Sequence, residues 1–249
     1  MEKLERKKKK YGLVGKEISY SFSEGYFSNK FKELGFIDHT YKNFDLDTID
    51  GFPQLLKDRN LCGLNVTIPY KEKVMPFLTQ IDSMAAEIGA VNTIKLTKDG
   101  PKGFNTDAHG FKESLLPLLQ EHHKHALILG TGGASKAIAY VLKNLGIRLK
   151  FVSRTTKGDN INYSELNKEH IQQYTLIINC TPLGTHPNVD ERPNIPYKFL
   201  TKDHILFDLI YNPSKTAFLK AGEACGATIQ NGLPMLQLQA EKSWEIWNS

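Results

Sequence analysis

Residues 126–142 read ALILGTGGASKAIAYVL, and this stretch decides the fold. Four consecutive apolar residues, Ala126 to Leu129, predict a buried strand. Glycines follow at 130, 132 and 133, and apolar residues then recur at helical spacing from Ala134 to Leu142. This order is typical of a dinucleotide-binding unit, because glycines let a pyrophosphate approach the backbone and the helix N-terminus offers it free N–H groups.

The glycine turn alone is an incomplete signal, because Ser135 holds the last position of the usual G-x-G-x-x-G pattern. Such a turn can also simply connect a strand to a helix. In NAD-binding proteins an acidic residue lies roughly 20 residues beyond the glycines, at the end of the next strand, and binds the ribose 2′-OH. Here Ser153, Arg154 and Thr155 stand at that place. A guanidinium suits a 2′-phosphate, so the sequence favours NADP over NAD, the alternative being a solvated arginine.

The composition is that of an ordinary globular protein, with 249 residues, 40% hydrophobic and 24% charged. Three widely spaced cysteines indicate neither a disulfide framework nor a zinc site. No apolar run is long enough for a membrane helix, and the first residues lack the apolar region of a secretory signal. We therefore expect a cytoplasmic protein.

The net charge of +5 comes mostly from residues 1–10, which carry six positive and two negative side chains, or +4. Such a basic run can contact nucleic acid or an anionic surface, but a solvated tail is the simpler interpretation. We expect no nucleic-acid or membrane partner, and either a monomer or a homodimer. His122, His123 and His125 lack a recognisable ligand spacing, so we expect a solvated connection there and no metal.

Strands and helices alternate along the chain, which predicts an α/β protein with a parallel sheet in its second half. Several starts and turns follow from local signals. Ser23, Asp47 and Ser214 are candidate helix N-caps. Pro69 predicts an extended turn and suits a helix start, with Lys71 at that start. The turn at 98–101 predicts a hairpin.

Motifs spread from residue 11 to the C-terminus resemble the shikimate dehydrogenase family. The sequence elements that carry the resemblance are Ser21-x-Ser23, Asn65-Val-Thr-Ile-Pro-Tyr-Lys71, Gly89-Ala-Val-Asn-Thr93, Asn105-Thr-Asp107 with Gly110-Phe111, Gly130-Thr-Gly-Gly-Ala134, Ser153-Arg-Thr155, Asn179-Cys-Thr-Pro-Leu-Gly184, Asp208-Leu-Ile-Tyr211, and Gly232-Leu-Pro-Met-Leu236 with Gln239-Ala240. Many motifs in one order are far more specific than any single one.

The resemblance implies two α/β domains with a cleft between them. Residues 1–106 plus 233–249 would form the substrate-binding domain, and residues 107–232 the Rossmann-like NADP-binding domain. The last helix would cross back to the first domain. The implied activity is the reversible NADPH-dependent reduction of 3-dehydroshikimate to shikimate.

The resemblance also implies roles for individual residues. Lys71 and Asp107 match the catalytic pair. The substrate-binding positions are Ser21, Ser23, Thr67, Asn92, Tyr211 and Gln239. The cofactor-binding positions are Gly130, Gly132, Gly133, Ala134, Ser153, Arg154, Thr155, Thr181 and Gly232. The only cofactor implied is NADP(H), with no metal, because the nicotinamide carries the redox chemistry.

Lys71 suits the chemistry, since hydride addition to a ketone creates an alkoxide that a nearby cation can stabilise and protonate. Desolvation would lower the pKa of this lysine and a neighbouring Asp107 would raise it, so the net direction is open. Asp107 could instead orient Lys71 and bind a substrate hydroxyl.

The chain departs from the family pattern around its first helix. Tyr20 replaces a usual histidine, and Ser23-Glu-Gly-Tyr-Phe27 replaces Ser-Pro-x-x-His. Ser153-Arg-Thr155 replaces Asn-Arg-Thr and keeps the guanidinium. Two alternatives remain: a paralogue that acts on quinate or another polyol, with either NADP or NAD, and a catalytically silent NADP-binding module.

Overall fold

The computed structural model describes residues 8–18, 21–155 and 158–249. The predictions for the basic tail before residue 8 and for Tyr20 therefore lie outside the described residues. Within the described ranges, no helix has the length and apolar character needed to cross a membrane.

The chain forms two compact units. The first unit contains Met1–Thr106 and Ala240–Ser249, and the second unit contains Asp107–Gln239. The last helix, α8 (Leu233–Asn248), thus begins in the second unit and ends in the first.

The first unit is built on a mixed six-stranded sheet in the order β2-β1-β3-β5-β6-β4. Its strands are β1 (Lys9–Gly15), β2 (His39–Asp45), β3 (Leu61–Val66), β4 (Gln80–Ile81), β5 (Thr93–Thr97) and β6 (Gly100–Phe104). Its helices include α1 (Phe22–Glu33), α2 (Phe52–Leu55) and α3 (Ser83–Ile88). β1 pairs in parallel with both β2 and β3, whereas β5 runs antiparallel to β3 and β6. The predicted hairpin is therefore confirmed as β5–β6.

The end of α8 supplies part of the core of the first unit. Ala240 and Trp247 pack with buried Tyr11 and Phe27. The Trp247 indole N–H donates a hydrogen bond of 3.0 Å to the carbonyl of Ile94. Burial of an indole with its N–H satisfied is strongly stabilising, so the end of α8 helps to hold this unit together.

The second unit contains an all-parallel six-stranded sheet in the order β12-β11-β10-β7-β8-β9. The strands are β7 (His125–Leu129), β8 (Arg148–Ser153), β9 (Ile161–Asn162), β10 (Leu176–Asn179), β11 (Ile205–Asp208) and β12 (Thr228–Gln230). The helices are α4 (Asp107–Leu115), α5 (Gly133–Asn144), α6 (Lys168–Gln173), α7 (Ala217–Ala224) and the first part of α8. If β7 is counted as the first strand of this unit, the strand order across the sheet is 6-5-4-1-2-3, which is the order of the dinucleotide-binding fold. The predicted α/β class with a parallel second sheet is confirmed.

Three predicted helix starts are wrong. Ser21, rather than Ser23, caps α1, since its hydroxyl accepts the Glu24 N–H. Thr216, rather than Ser214, caps α7 by accepting the Leu219 N–H. A 3₁₀ turn at Ile49–Gly51 follows Thr48, so Asp47 caps nothing there. Ser, Thr and Asp are all good N-caps, so composition alone places a cap only to within a few residues.

The helix predicted from Pro69 is also wrong. A cis peptide bond joins Ile68 to Pro69, and the chain continues through turns to a short 3₁₀ segment, Met75–Phe77. Lys71 therefore lies in a turn rather than at a helix start.

Candidate functional site

The expected substrate residues of the first unit converge on one edge of its sheet. The parallel strands β1, β2 and β3 all end at this edge, and antiparallel β5 begins there. Thr67 follows β3, and its N–H donates to the Val14 carbonyl at 2.9 Å. The Val66 N–H donates to the Asn92 carbonyl at 2.8 Å, so Thr67 and Asn92 lie on adjacent strand ends.

The backbone of Lys71 is fixed at the same edge. The Val91 N–H donates to the Lys71 carbonyl at 2.8 Å, one residue before Asn92. The Tyr70 N–H donates to the Thr67 carbonyl, and the buried Tyr70 phenol donates to the Leu46 carbonyl at 2.6 Å. Lys71 itself is half-buried. A turn anchored on both sides thus places an ammonium-bearing side chain beside the polar strand ends.

Asn92 connects this edge to the residue that precedes Asp107. The Thr106 N–H donates to Asn92 Oδ1 at 2.7 Å, and Asn92 Nδ2 donates to Thr106 Oγ1 at 3.1 Å. Both residues are almost fully buried. Asp107 is the next residue in the chain, is 7% exposed, and begins α4 of the second unit.

The two serines at the start of α1 belong to separate hydrogen-bond networks. The Ser21 hydroxyl lies 3.0 Å from Asn43 Oδ1, and Asn43 Nδ2 donates to Glu24 Oε2 at 2.7 Å. Because a carboxylate only accepts, Glu24 fixes which end of the Asn43 amide faces Ser21. The Ser21 hydroxyl is then the donor to Asn43, and in this arrangement it offers a ligand only acceptor capacity.

Ser23 contacts buried Tyr41 instead. A hydrogen bond from Ser23 lowers the pKa of Tyr41, although burial raises it far more, so the phenol stays protonated. Tyr41 in turn donates to Asn65 Oδ1 at 2.8 Å, and Asn65 Nδ2 donates to Ser243 Oγ at 2.9 Å. Ser23 is therefore the first member of a buried polar chain that continues through Tyr41 and Asn65 to Ser243.

The glycine turn of the second unit is formed as the sequence predicts. Gly130 ends β7 with φ +100°, a conformation that favours glycine. A Cβ at this position would lie 3.0 Å from Thr181 Cγ2. Gly132 caps α5, which begins at Gly133, and a Cβ on Gly132 would meet nothing within 4 Å. The N-terminus of α5, including half-buried Ala134, is thus open to an anion.

The contacts of Ser135 show why a residue other than glycine can occupy the last position of the glycine pattern. It is buried, and its hydroxyl donates to the Gly132 carbonyl at 2.7 Å. A small side chain is tolerated here because it bonds back to the turn that it follows.

Arg154 lies at the end of β8 and is exposed together with Thr155. Ser153 is buried, and its hydroxyl donates to the Thr155 carbonyl. Asn162 Nδ2 donates to the Arg154 carbonyl at 3.0 Å. The backbone of this strand end is therefore fixed, while the guanidinium remains accessible to a ligand.

The crevice where the strand order reverses lies between β7 and β10, and Thr181 follows β10 there. The Thr181 N–H and hydroxyl both donate to Asn179 Oδ1, at 3.0 and 2.6 Å. Asn179 Nδ2 donates to Asp208 Oδ1 at 3.0 Å. Burial raises the pKa of Asp208 to about 6, although hydrogen bonds from Thr216, Ile210 and Asn179 lower it.

The remaining predicted site residues, Tyr211, Gly232 and Gln239, follow β11 in the sequence. A Cβ on Gly232 would lie 2.0 Å from the Leu209 carbonyl oxygen, so only glycine fits where the chain returns after β12. Tyr211 is half-buried in the segment after β11, and Gln239 is buried in α8 with Nε2 donating to the Leu236 carbonyl.

Several residues in these networks had no predicted role, among them Asn43, Thr106, Asn179 and Asp208. Asn179 and Asp208 each end a buried strand, and a polar residue at that position is the signal that could have identified them. Asn43 carries no such signal, because it lies inside β2, a strand with a single buried residue, and not at its end.

The histidines near β7 bond to backbone. His122 and His123 both contact the Asp203 carbonyl, at 3.0 and 3.2 Å. Within residues 8–18, 21–155 and 158–249, no group of three or more His, Cys, Asp or Glu side chains could hold a metal ion.

The chain is similar in sequence to proteins of known function. Residues 13–94 match the family model described as the shikimate dehydrogenase substrate binding domain. A shikimate dehydrogenase (NADP(+)) of Methanococcus maripaludis is 37% identical over 263 residues, covering 98% of this chain and 92% of that protein.

Two solved structures are similar over nearly the whole chain. Shikimate dehydrogenase 1 from Peptoclostridium difficile has a TM-score of 0.85 and 39% identity, covering 96% of this chain and 91% of the other. The Thermus thermophilus shikimate 5-dehydrogenase, in complex with NADP(H) and shikimate, has a TM-score of 0.85 and 30% identity, with coverage of 96% and 93%. On this sequence and structural similarity, the chain belongs to the shikimate dehydrogenase family.

Proposed function

We propose that the protein catalyses the reversible, NADPH-dependent reduction of 3-dehydroshikimate to shikimate. The observation that carries the proposal is the Gly130 turn at the reversal point of a dinucleotide-binding sheet, in a chain of this family. A silent NADP-binding module is disfavoured, because the chain keeps both Lys71 and Asp107 at the family's catalytic positions.

The second unit fits NADP(H). Its pyrophosphate would lie at the turn of Gly130, Gly132 and Gly133, where the backbone is open and the N-terminus of α5 favours negative charge. The exposed Arg154 guanidinium, with Ser153 and Thr155, would bind the 2′-phosphate. Thr181 and Gly232 would border the same crevice.

The polar edge of the first unit fits a hydroxylated, anionic substrate. Thr67 and Asn92 lie on adjacent strand ends, with Ser21 and Ser23 at the start of α1. Short polar side chains on anchored backbone are suited to several ring hydroxyls, because little conformational entropy is lost on binding. We assign Tyr211 and Gln239 to the same substrate.

Bound NADPH supplies the hydride that adds to the ketone carbon. The Lys71 ammonium stabilises the charge that develops on the carbonyl oxygen and donates the proton that completes the hydroxyl. Asp107 orients that ammonium and accepts a hydrogen bond from a substrate hydroxyl. In the reverse direction Lys71 accepts the hydroxyl proton as hydride leaves the carbon.

We further propose that the enzyme works on small molecules in the cytoplasm, as a monomer or homodimer without nucleic-acid or membrane partners. None of the three cysteines forms a disulfide. Reduced thiols suit a reducing compartment.

The test is a nicotinamide absorbance assay of the purified chain with shikimate or quinate, and with NADP⁺ or NAD⁺. We expect oxidation of shikimate by NADP⁺ to have the highest kcat/KM. Faster oxidation of quinate, or a preference for NAD⁺, would support the paralogue instead. NADPH binding without turnover of either polyol would support the silent module.

A further inference from the structure

Three buried polar residues link β10 and β11 beside the Gly130 turn, and the proposed mechanism uses none of them directly. Asn179 and Asp208 are the last residues of two adjacent parallel strands, and both have no exposed surface. Thr216 is also fully buried, and its hydroxyl donates to Asp208 Oδ2 at 2.6 Å. Buried polar groups are costly to maintain, so their arrangement calls for a physical reason.

The orientation of the Asn179 amide follows from Asp208. The carboxylate can only accept hydrogen bonds, so the Asn179 amide nitrogen must face it, at 3.0 Å. The Asn179 amide oxygen then faces Thr181, where it accepts from both the hydroxyl and the N–H. In the reverse orientation the Asn179 amide nitrogen would face the N–H and hydroxyl of Thr181, and the amide oxygen would face the Asp208 carboxylate.

The only proton of the Thr181 hydroxyl is used within the protein, so the hydroxyl cannot donate to a ligand in this arrangement. It donates to Asn179 Oδ1 at 2.6 Å and accepts the Leu183 N–H at 3.3 Å. The methyl group is the part of Thr181 that packs against Gly130, 3.0 Å from where a Cβ would be. The backbone just before Thr181 is also fixed, because the Cys180 N–H donates to the Leu129 carbonyl at 2.9 Å.

We propose that Asp208 is a positioning residue for the cofactor site: through Asn179 it holds Thr181 against the Gly130 turn and so preorganises the dinucleotide crevice. The inference rests on the proposed function, because the crevice must bind NADP(H). Thr181 then shapes the wall of the crevice with its methyl group, and its hydroxyl serves to fix the loop.

The test is a double-mutant cycle on NADPH affinity, measured by the fluorescence of bound NADPH with the full chain. Loss of one such hydrogen bond is expected to weaken NADPH binding about fivefold. We expect Asn179→Ala and Thr181→Val each to raise the Kd by about this factor, and the double variant to raise it by no more than either single change. Asp208→Ala is expected to raise it at least as much.

Thr201→Val is the matched control. Like the Thr181 hydroxyl, the Thr201 hydroxyl bonds to a side chain, His204 Nδ1 at 3.0 Å, and accepts the N–H of the residue two positions later, Asp203, at 3.3 Å. Thr201, however, lies before β11 in the chain. It therefore lies at the opposite edge of the sheet from the Gly130 turn. We expect this variant to lower the melting temperature and leave the Kd for NADPH within about twofold.

Two results would overturn the positioning role. One is an Asn179→Ala variant that melts earlier but binds NADPH like the wild type. The other is an additive double variant, about 25-fold weaker, which would mean that the Thr181 hydroxyl contacts the cofactor by itself. If Asp208→Ala does not fold, the cycle on Asn179 and Thr181 still decides. A wild-type chain that fails to bind NADPH would instead refute the proposed function.

Discussion

The carbonyl of Lys71 accepts a hydrogen bond of 2.8 Å from the Val91 N–H, which fixes the lysine beside Asn92 without using its side chain. The turn should therefore survive replacement of the side chain. We expect Lys71→Ala to lower kcat by about 10²- to 10⁴-fold, because both charge stabilisation and proton donation are lost. Steady-state kinetics measures this loss, and NADPH fluorescence should show nearly unchanged binding. Turnover near that of the wild type would remove Lys71 from the mechanism.

Arg154→Ala tests how the 2′-phosphate is recognised. The exposed guanidinium can make charge-assisted hydrogen bonds that NADH cannot use. We expect kcat/KM with NADPH to fall about tenfold or more, and kcat/KM with NADH to change little. Lys150→Ala, which changes an exposed cation earlier on β8, is the control. Equal losses with both cofactors would place the recognition of the phosphate elsewhere.

Glu24→Gln tests the departure at the start of α1. Glu24 holds the Asn43 amide and adds a negative charge next to Ser21. A glutamine can still accept from Asn43, so only the charge is removed. Because the proposed substrate is an anion, we expect its KM to fall about two- to fivefold, with a smaller difference at high salt.

The control for that substitution is Glu33→Gln, which removes an exposed charge in the last turn of α1. Its KM should match that of the wild type. A Glu24→Gln variant with a higher KM would show that the carboxylate contributes to substrate binding instead of opposing it.

Asp208 should also make stability depend on pH. Its pKa is raised from 3.8 to about 6 in the folded chain, so the native state holds the proton more tightly than the unfolded state. The contribution of Asp208 to stability is therefore greatest below about pH 4 and is lost as pH rises through 6. Relative to Asp208→Asn, the wild type should lose up to about 3 kcal/mol of unfolding free energy across this range.

Urea unfolding of both proteins, followed by circular dichroism at several pH values, measures this difference directly. Common effects of acid on other carboxyl groups cancel in the comparison. A constant difference between the two proteins would mean that Asp208 titrates near its ordinary value.

Much of the second unit could be predicted from sequence because its signals are local. The strand and glycine turn at 126–133 and the helix that follows depend on neighbouring residues, and the structure confirms them. Arg154 was found by its distance from the glycines along one strand–helix–strand unit. Its contacts with a cofactor remain a prediction.

The networks could not be predicted, because they join residues far apart in the chain. Asn65 bonds to Ser243, 178 residues away, and Asn179 bonds to Asp208, 29 residues away. Pattern and propensity describe neighbours in sequence, whereas these contacts depend on strand order and register. The extended turn at Pro69 was predicted, but the helix start expected at Lys71 was wrong, because proline suits either a turn or a helix start.

The packing of Trp247 against Ile94 and Tyr11 has a consequence for biosynthesis. Residues 107–239 form a continuous unit that can fold as soon as they leave the ribosome. The sheet of the first unit is translated before Ala240 and Trp247, so its core stays incomplete until α8 has been made. The first unit therefore completes its core only after most of the second unit has been synthesised.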